Sequence, residues 1–190
     1  KIKDAGNEHM DRGNKVHSEL EDFLLRGKQL PEEAESLTTY YTELKDKAIV
    51  VEEDWGFDKD WNPTGYYADD IWCRMKLDVF IPGDEEVSII DHKTGKHYPI
   101  KAIDQGQLYA VGASIKSPAD KFDVTFAYVD QGLIKKTSYK RKLVERFKEK
   151  FTVRAMKLST VITFKPKPHK FTCKWCPMRT SCSFDVSEEV

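Results

Sequence analysis

The chain is short of cysteine and of long apolar runs, and each shortage closes off a class of protein. Only four cysteines stand in 190 residues, Cys73 alone and Cys173, Cys176 and Cys182 near the end. That is too few and too uneven for a secreted disulfide scaffold, so an intracellular, reducing compartment, the cytoplasm, is expected. No stretch approaches the roughly 20 apolar residues that span a bilayer. Lys1-Ile2-Lys3-Asp4 does not open a signal peptide, and residue 1 is not Met, which leaves room for a segment upstream. There is no internal repeat, no low-complexity linker and nothing like a dedicated base-reading module. With 39% apolar and 12% aromatic residues the chain can fill one core, and a single domain over residues 1–190 is expected.

A net charge of −1 conceals a strong polarity. Residues 1–100 carry 13 Lys and Arg against 23 Asp and Glu, and residues 101–190 carry 18 against 9. Between residues 131 and 180, 15 basic side chains stand against 2 acidic ones, with Tyr139, Phe147, Phe151, Phe164, Phe171 and Trp175 among them. A charge run is usually a solvated helix face. This one persists through a strand, a helix and a loop, and its aromatics suit a polyphosphate partner whose bases can stack. The acidic half repels phosphate unless a divalent cation intervenes, which points to bound metal.

Val16, Leu20, Phe23 and Leu24 form an apolar stripe on a helix over residues 8–26 that ends near Gly27. A short helix is expected within Pro31–Tyr41 and a strand over residues 47–57, broken by the Asn62-Pro63 loop. From Ile71 to Ile81 alternate residues are apolar, so Cys73, Met75, Leu77, Val79 and Ile81 are expected on one face and Trp72, Arg74, Lys76 and Asp78 on the other. The turn Pro82-Gly83-Asp84 leads into a hairpin partner, residues 87–93, with Val87, Ile89, Asp91 and Lys93 on one face and Ile90 and His92 opposite. A helix (100–116), two strands (123–129 and 134–140) and a basic helix (142–158) complete an α/β fold, a central mixed sheet flanked by helices, with a cysteine-containing C-terminal tail over residues 165–184.

Asp91-His92-Lys93 projects a carboxylate and an ammonium from one strand face, roughly 7 Å apart at the backbone. Asp78, on the neighbouring strand, can add a second carboxylate. Two hard oxygen ligands and the backbone carbonyl of His92 suit Mg2+ or Mn2+, and Lys93 can orient or deprotonate an attacking water. Taken alone, the triplet reads first as an exposed salt bridge at a hairpin end.

Its company is more specific. Gly13-Asn14-Lys15-Val16-His17 reads GxxxH on the first helix, Asp78 precedes Asp91 by 13 residues, Asp91 to Gly95 reads DxKTG, and Gln105 to Tyr109 reads QxxxY on the next helix. In this order the motifs resemble the PD-(D/E)XK nuclease superfamily, with its restriction-endonuclease-like core. The likeness is to its RecB-like branch, which includes AddB-type repair nucleases, CRISPR-associated RecB-like exonucleases and many phage exonucleases. The resemblance runs from Gly13 to Cys182. It implies a metal-dependent DNA nuclease, an exonuclease acting on single strands or duplex ends in repair, recombination or phage DNA processing. The alternative is a DNA-binding subunit of a repair or recombination complex with little activity of its own. By the same resemblance His17 is a further metal ligand, Asp78 and Asp91 are the bridging carboxylates and Lys93 is the catalytic lysine. Gln105 is placed near Lys93 or a scissile-strand phosphate, and Tyr109 near the DNA. The glycine that often precedes the first aspartate of the family is absent, since Arg74-Met75-Lys76-Leu77 leads into Asp78.

Cys173, Cys176 and Cys182 have C-x2-C-x5-C spacing, which points to a metal centre. The resemblance implies a 4Fe-4S cluster, whose fourth cysteine would lie upstream of the GxxxH helix. No cysteine precedes His17 here, which leaves three readings open: a ligand from an upstream segment, a Cys3His zinc site completed by His169, or a lost cluster. DNA contacts are expected from the basic stretch between Lys135 and Lys174, with Lys140, Arg141, Lys142 and Lys174 as candidates.

Overall fold

The computed structural model describes residues 8–47, 49–96, 99–163 and 165–187, and Lys1 to Asp4 and Phe164 lie outside them. Helix α1 (Glu8–Arg26) leads through a 3-10 turn (Glu32–Leu37) to α2 (Thr38–Lys45). Strands β1 (Val50–Phe57), β2 (Pro63–Thr64), β3 (Cys73–Ile81) and β4 (Glu86–Lys93) follow, then α3 (Pro99–Lys116), β5 (Lys121–Tyr128), β6 (Leu133–Lys140), α4 (Arg141–Ser159) and α5 (Lys170–Lys174). The six strands form one mixed sheet in the order β2-β1-β3-β4-β5-β6, with only β4 and β5 parallel. The parallel step requires a crossover, which α3 supplies. The fold is thus the α/β arrangement of a mixed sheet flanked by helices that the sequence predicts. No helix among the described residues is long and apolar enough to cross a membrane.

Two apolar layers cover the sheet. On one face Val16, Leu20 and Leu24 of α1 pack with Tyr41 and Leu44 of α2 against Val79, Ile90 and Ala127. Each of those α1 side chains contributes about 1.5–3 kcal/mol by its burial. On the other, Tyr109, Ala110, Val111 and Ala113 of α3 pack with Val144 and Phe151 of α4 against Trp55, Leu77, Ile89 and Val124. Gly112 allows that approach, since a Cβ there would stand 2.6 Å from Met75 Sδ and 2.9 Å from the Trp55 ring. Residue alternation along β4 is as expected, with Val87 and Ile89 toward α3 and Ile90 toward α2.

Along β3 the alternation differs from the expectation. Met75 and Leu77 face α3, whereas Val79 and Ile81 pack with α1 and α2, so the strand changes phase at Asp78. The partner strand explains it. Glu52, which the register sets opposite Asp78, has φ of 57°, a left-handed conformation that a side chain adopts at a cost of about 1–3 kcal/mol. An apolar residue pattern carries no sign of such a kink, because both faces of this sheet are apolar.

Candidate active site

The β3–β4 ladder stops at Val79 and Ile90. Continuing its register would set Asp78 opposite Asp91, but there the strands separate. In place of a ladder bond, the His92 amide donates to Asp78 Oδ2 at 2.6 Å. Two carboxylates therefore flank the mouth of a fork, one on each strand.

Each is held by a helix. From α1, His17 Nδ1 donates to Asp78 Oδ1 at 3.1 Å. From α3, Tyr109 OH and Gln105 Nε2 donate to Asp91 Oδ1 at 2.6 and 2.8 Å. Gln105 and Tyr109, one helical turn apart, also bond each other at 2.7 Å. Lys93 Nζ lies 2.5 Å from Asp91 Oδ2, donates to Gln105 Oε1 at 2.9 Å, and sits 5.5 Å from the centre of the Phe126 ring. The Gln105 amide has one workable orientation, because its reverse would turn the NH2 toward the ammonium and the carbonyl toward the carboxylate. Tyr109 is buried, at 6% exposure, and grips Asp91. An aromatic at this point of α3 faces the sheet, and its hydroxyl also reaches the Lys76 carbonyl, at 3.2 Å.

Charge is concentrated in this small volume. Burial raises the pKa of the Asp91 carboxyl, the nearby Asp78 charge raises it further, and Lys93 and Tyr109 only partly offset them. Burial alone would raise Asp78 as well, but the His17 hydrogen bond, the charges of His92 and His17 and the His92 amide bring it below the usual carboxylate range. For His17 burial is again outweighed, by Asp78 and Asp91, and its pKa is raised. His92 points the other way from Asp91, hydrogen-bonded to Tyr41 OH at 3.0 Å, and burial holds its pKa down at about 4. Its Nε2 has no hydrogen-bond partner.

Among the described residues no three His, Cys, Asp or Glu side chains already form a metal-binding group, and His17, Asp78 and Asp91 are engaged as above. Their chemistry nonetheless fits a divalent cation. Two mutually repelling carboxylates, one of them with its pKa raised by burial and by the charge of the other, are what a hard dication neutralises. A groove of about 710 Å³ runs between α1 and the fork, lined by Gly13, His17, Glu21, Glu52, Asp78 and Thr94 among others. Glu21 and Glu52 are lining residues that no motif marks.

Sequence reading also missed a clasp that closes the site from the side. Arg12 of α1 makes a two-pronged pair with Asp130 at 2.7 and 3.0 Å, and Asp130 accepts from the Gly95 amide at 2.7 Å. Gln131 donates to the Gly95 carbonyl at 2.7 Å. The segment just after Lys93 is thereby tied to the helix that carries His17. Gly13 lets the two meet, since a Cβ there would lie 3.2 Å from Thr94 Oγ1.

The expected DNA contacts separate. Arg141 donates to the carbonyls of Ser114, Ser117 and Ala119, and so fastens the end of α3 and the loop after it. This removes it from the DNA candidates, because its donors are spent inside the protein. Lys140 pairs with Lys121, which pairs with Glu86, at the other end of β4 from Lys93. Seven strand residues put it roughly 23 Å from that end of the site. Lys142 and Lys174 are exposed. In the tail Cys173 is half-buried while Cys176 and Cys182 are exposed, and with His169 they form no metal-binding group among the described residues. Cys73, expected in the core, is half-buried against it, and burial pushes its thiol up to about 11.

Among solved structures, the crystal structure of SSO0001 is similar over 92% of this chain and 82% of its own, at 15% identity and a TM-score of 0.41. No curated protein matches. The family model of the PD-(D/E)XK nuclease superfamily matches residues 74–183, a span that holds Asp78, Asp91, Lys93, Gln105 and Tyr109. The chain belongs to the PD-(D/E)XK nuclease superfamily.

Proposed function

We propose that this chain is a divalent-metal-dependent DNA nuclease of the RecB-like branch, an exonuclease acting on single strands or duplex ends in repair, recombination or phage DNA processing. The observation that carries the reading is the fork at Asp78 and Asp91, with Lys93 held at its edge by Gln105. Asp78, Asp91, the His92 carbonyl and His17 would hold Mg2+ or Mn2+, which supplies a Lewis acid for the phosphate and lowers the pKa of water. Lys93 orients the attacking water and balances charge on the phosphate. Gln105 fixes the ammonium, Tyr109 fixes the Asp91 rotamer, and His17 holds Asp78 across the groove. Lys140, Lys142 and Lys174 offer phosphate contacts away from the reacting atoms. The tail cysteines Cys173, Cys176 and Cys182 would hold a 4Fe-4S cluster with a ligand from outside this chain, or zinc with His169, in a structural role.

Labelled linear single strands, linear duplex and circular duplex, each with Mg2+, Mn2+ or EDTA, test the reading. The linear forms should be degraded from their ends with either metal, the circle should persist, and EDTA should stop the reaction. Circles cut as fast as linear DNA would replace exonuclease with endonuclease. Binding without cleavage under every condition would favour the alternative, a DNA-binding subunit of a repair or recombination complex.

The clasp gives a separate expectation. Asp130→Ala frees the Gly95 amide and leaves Arg12 only its longer pair with Glu33 at 3.6 Å, and the resulting shift of Lys93 should lower kcat on the order of tenfold to a hundredfold. The KM for DNA should stay near its original value. Unchanged kcat with a lower Tm would show that the clasp serves stability alone.

A further inference from the structure

A second cavity, of about 380 Å³, opens on the side of Gln105 away from the groove. Its walls come from Trp61 and Trp72 before β3, Leu108 of α3, and Phe151, Arg154 and Leu158 of α4. The volume falls within the roughly 300–1,000 Å³ of small-molecule sites. Trp61 is tied down by its indole N–H, which donates to Thr152 at 2.8 Å, so the half-buried Trp72 is the indole with surface to offer. We propose that this cavity is a subsite for one unpaired nucleobase of a single-stranded substrate, the base stacking on Trp72 while its neighbouring phosphate lies at Lys93. The assignment rests on the nuclease reading above and narrows it to strands whose bases are free.

Three observations converge on that occupant. The first is position: Gln105 lines the cavity and also bonds both Lys93 and Asp91, so a nucleotide next to the reacting phosphate has the cavity within reach. Charge is the second. Arg154, most of its side chain exposed, and Lys150 stand at the α4 side, and together they exceed the charge of Asp104, with which both pair. Asp58 brings the total to zero, but its lone pairs turn into its own loop, accepting from the backbone amides of Asp60 and Asn62 and the side chain of Asn62, which leaves the mostly exposed Arg154 as the charge a phosphate meets. The third is chemistry: an apolar cleft with one indole face and few polar anchors binds any base without reading its edge. Bases within a duplex are already stacked and cannot enter without being extruded.

The test is binding in EDTA, which separates it from cleavage. The full chain is titrated against fluorescent oligothymidylate of about twelve nucleotides, against the same strand with one abasic position moved along it, and against a blunt duplex of equal length. Trp72→Ala removes the stacking face. Leu158→Trp fills the cleft from an exposed position and leaves the core alone. Each variant should bind the single strand about fivefold to tenfold more weakly, the low end for loss of one base–aromatic stack, and bind the duplex as the unaltered chain does. One abasic position should cost the unaltered chain a similar factor and cost the variants nothing. The subsite is overturned if both variants keep single-strand affinity, if single-strand and duplex binding fall together, or if the unaltered chain does not bind the strand. If the strand binds with this pattern but is never cut with Mg2+ or Mn2+, the nuclease reading falls and the subsite stands.

Discussion

Asp91→Asn should lower DNA cleavage at least about a thousandfold while leaving the metal-free protein as stable as before or more so. The size of the loss follows from what electrostatic groups aimed at a reacting centre are worth, on the order of 10²–10³ each, with loss of a metal ligand added. The substitution is nearly isosteric. Its amide oxygen can still accept from Tyr109 and Gln105, and Lys93 still donates to Gln105. The charge, which is unfavourable in the metal-free chain, disappears, and an NH2 takes the place of Oδ2 beside Lys93, whose flexible stem can turn the ammonium to Gln105 and solvent. Burial and Asp78 raise the folded-state pKa of Asp91, so its contribution to stability is present below the unfolded value of 3.8 and lost as pH rises through the folded one. At neutral pH the neutral Asn avoids that penalty. Two measurements check this: cleavage of a labelled linear strand, and the rise in Tm on adding Mg2+ or Mn2+, which mass action requires of any ligand that binds only the folded state. In the variant both should vanish together. Cleavage at the original rate would exclude Asp91 from the site, and a full metal-induced rise would exclude it as a ligand.

How much of this was legible in sequence depends on the reach of each signal. The stripe Val16-Leu20-Leu24 and the two-residue alternation of Val87, Ile89 and Asp91 are local, and both hold. DxKTG and QxxxY lie 12 residues apart at Lys93 and Gln105, and their hydrogen bond realises that spacing. Asp130, by contrast, meets Arg12 across 118 positions, and neither carries a motif. The turn of β3 at Asp78 was hidden because Leu77 and Val79 are both apolar and both faces of the sheet are buried. Arg141 was misread for a different reason: composition counts a guanidinium without saying whether helix-end carbonyls have already claimed its donors. The two-residue strand β2 falls below the length at which periodicity registers.

His92 supplies the remaining large effect, a loss of stability in mild acid. Its side chain is 3% exposed, packed beside Tyr41 and His17, and burial depresses its pKa from 6.5 to about 4. Between those values the unfolded chain binds a proton that the folded one refuses, so stability is full above 6.5 and falls as pH drops toward 4. By pH 5 the loss is about 2 kcal/mol, or roughly 4–8 °C in Tm for a chain of this length. The neighbouring groups act elsewhere or in reverse. His17, with a raised pKa, contributes stability that is lost as pH rises through its folded value, above 6.5. Asp78, lowered, matters only below 3.8. Asp91, raised, gains stability as pH falls toward 3.8 and so masks part of the His92 slope. Comparing the unaltered chain with His92→Asn, both metal-free, cancels those contributions, since Asn keeps a polar atom for Tyr41 and does not titrate. The variant should hold its Tm between about pH 7 and pH 5 to within what the carboxylates move it, while the unaltered chain falls further. Parallel pH profiles would mean that the folded chain accepts the proton after all, with the imidazolium stabilised by the charge of Asp78.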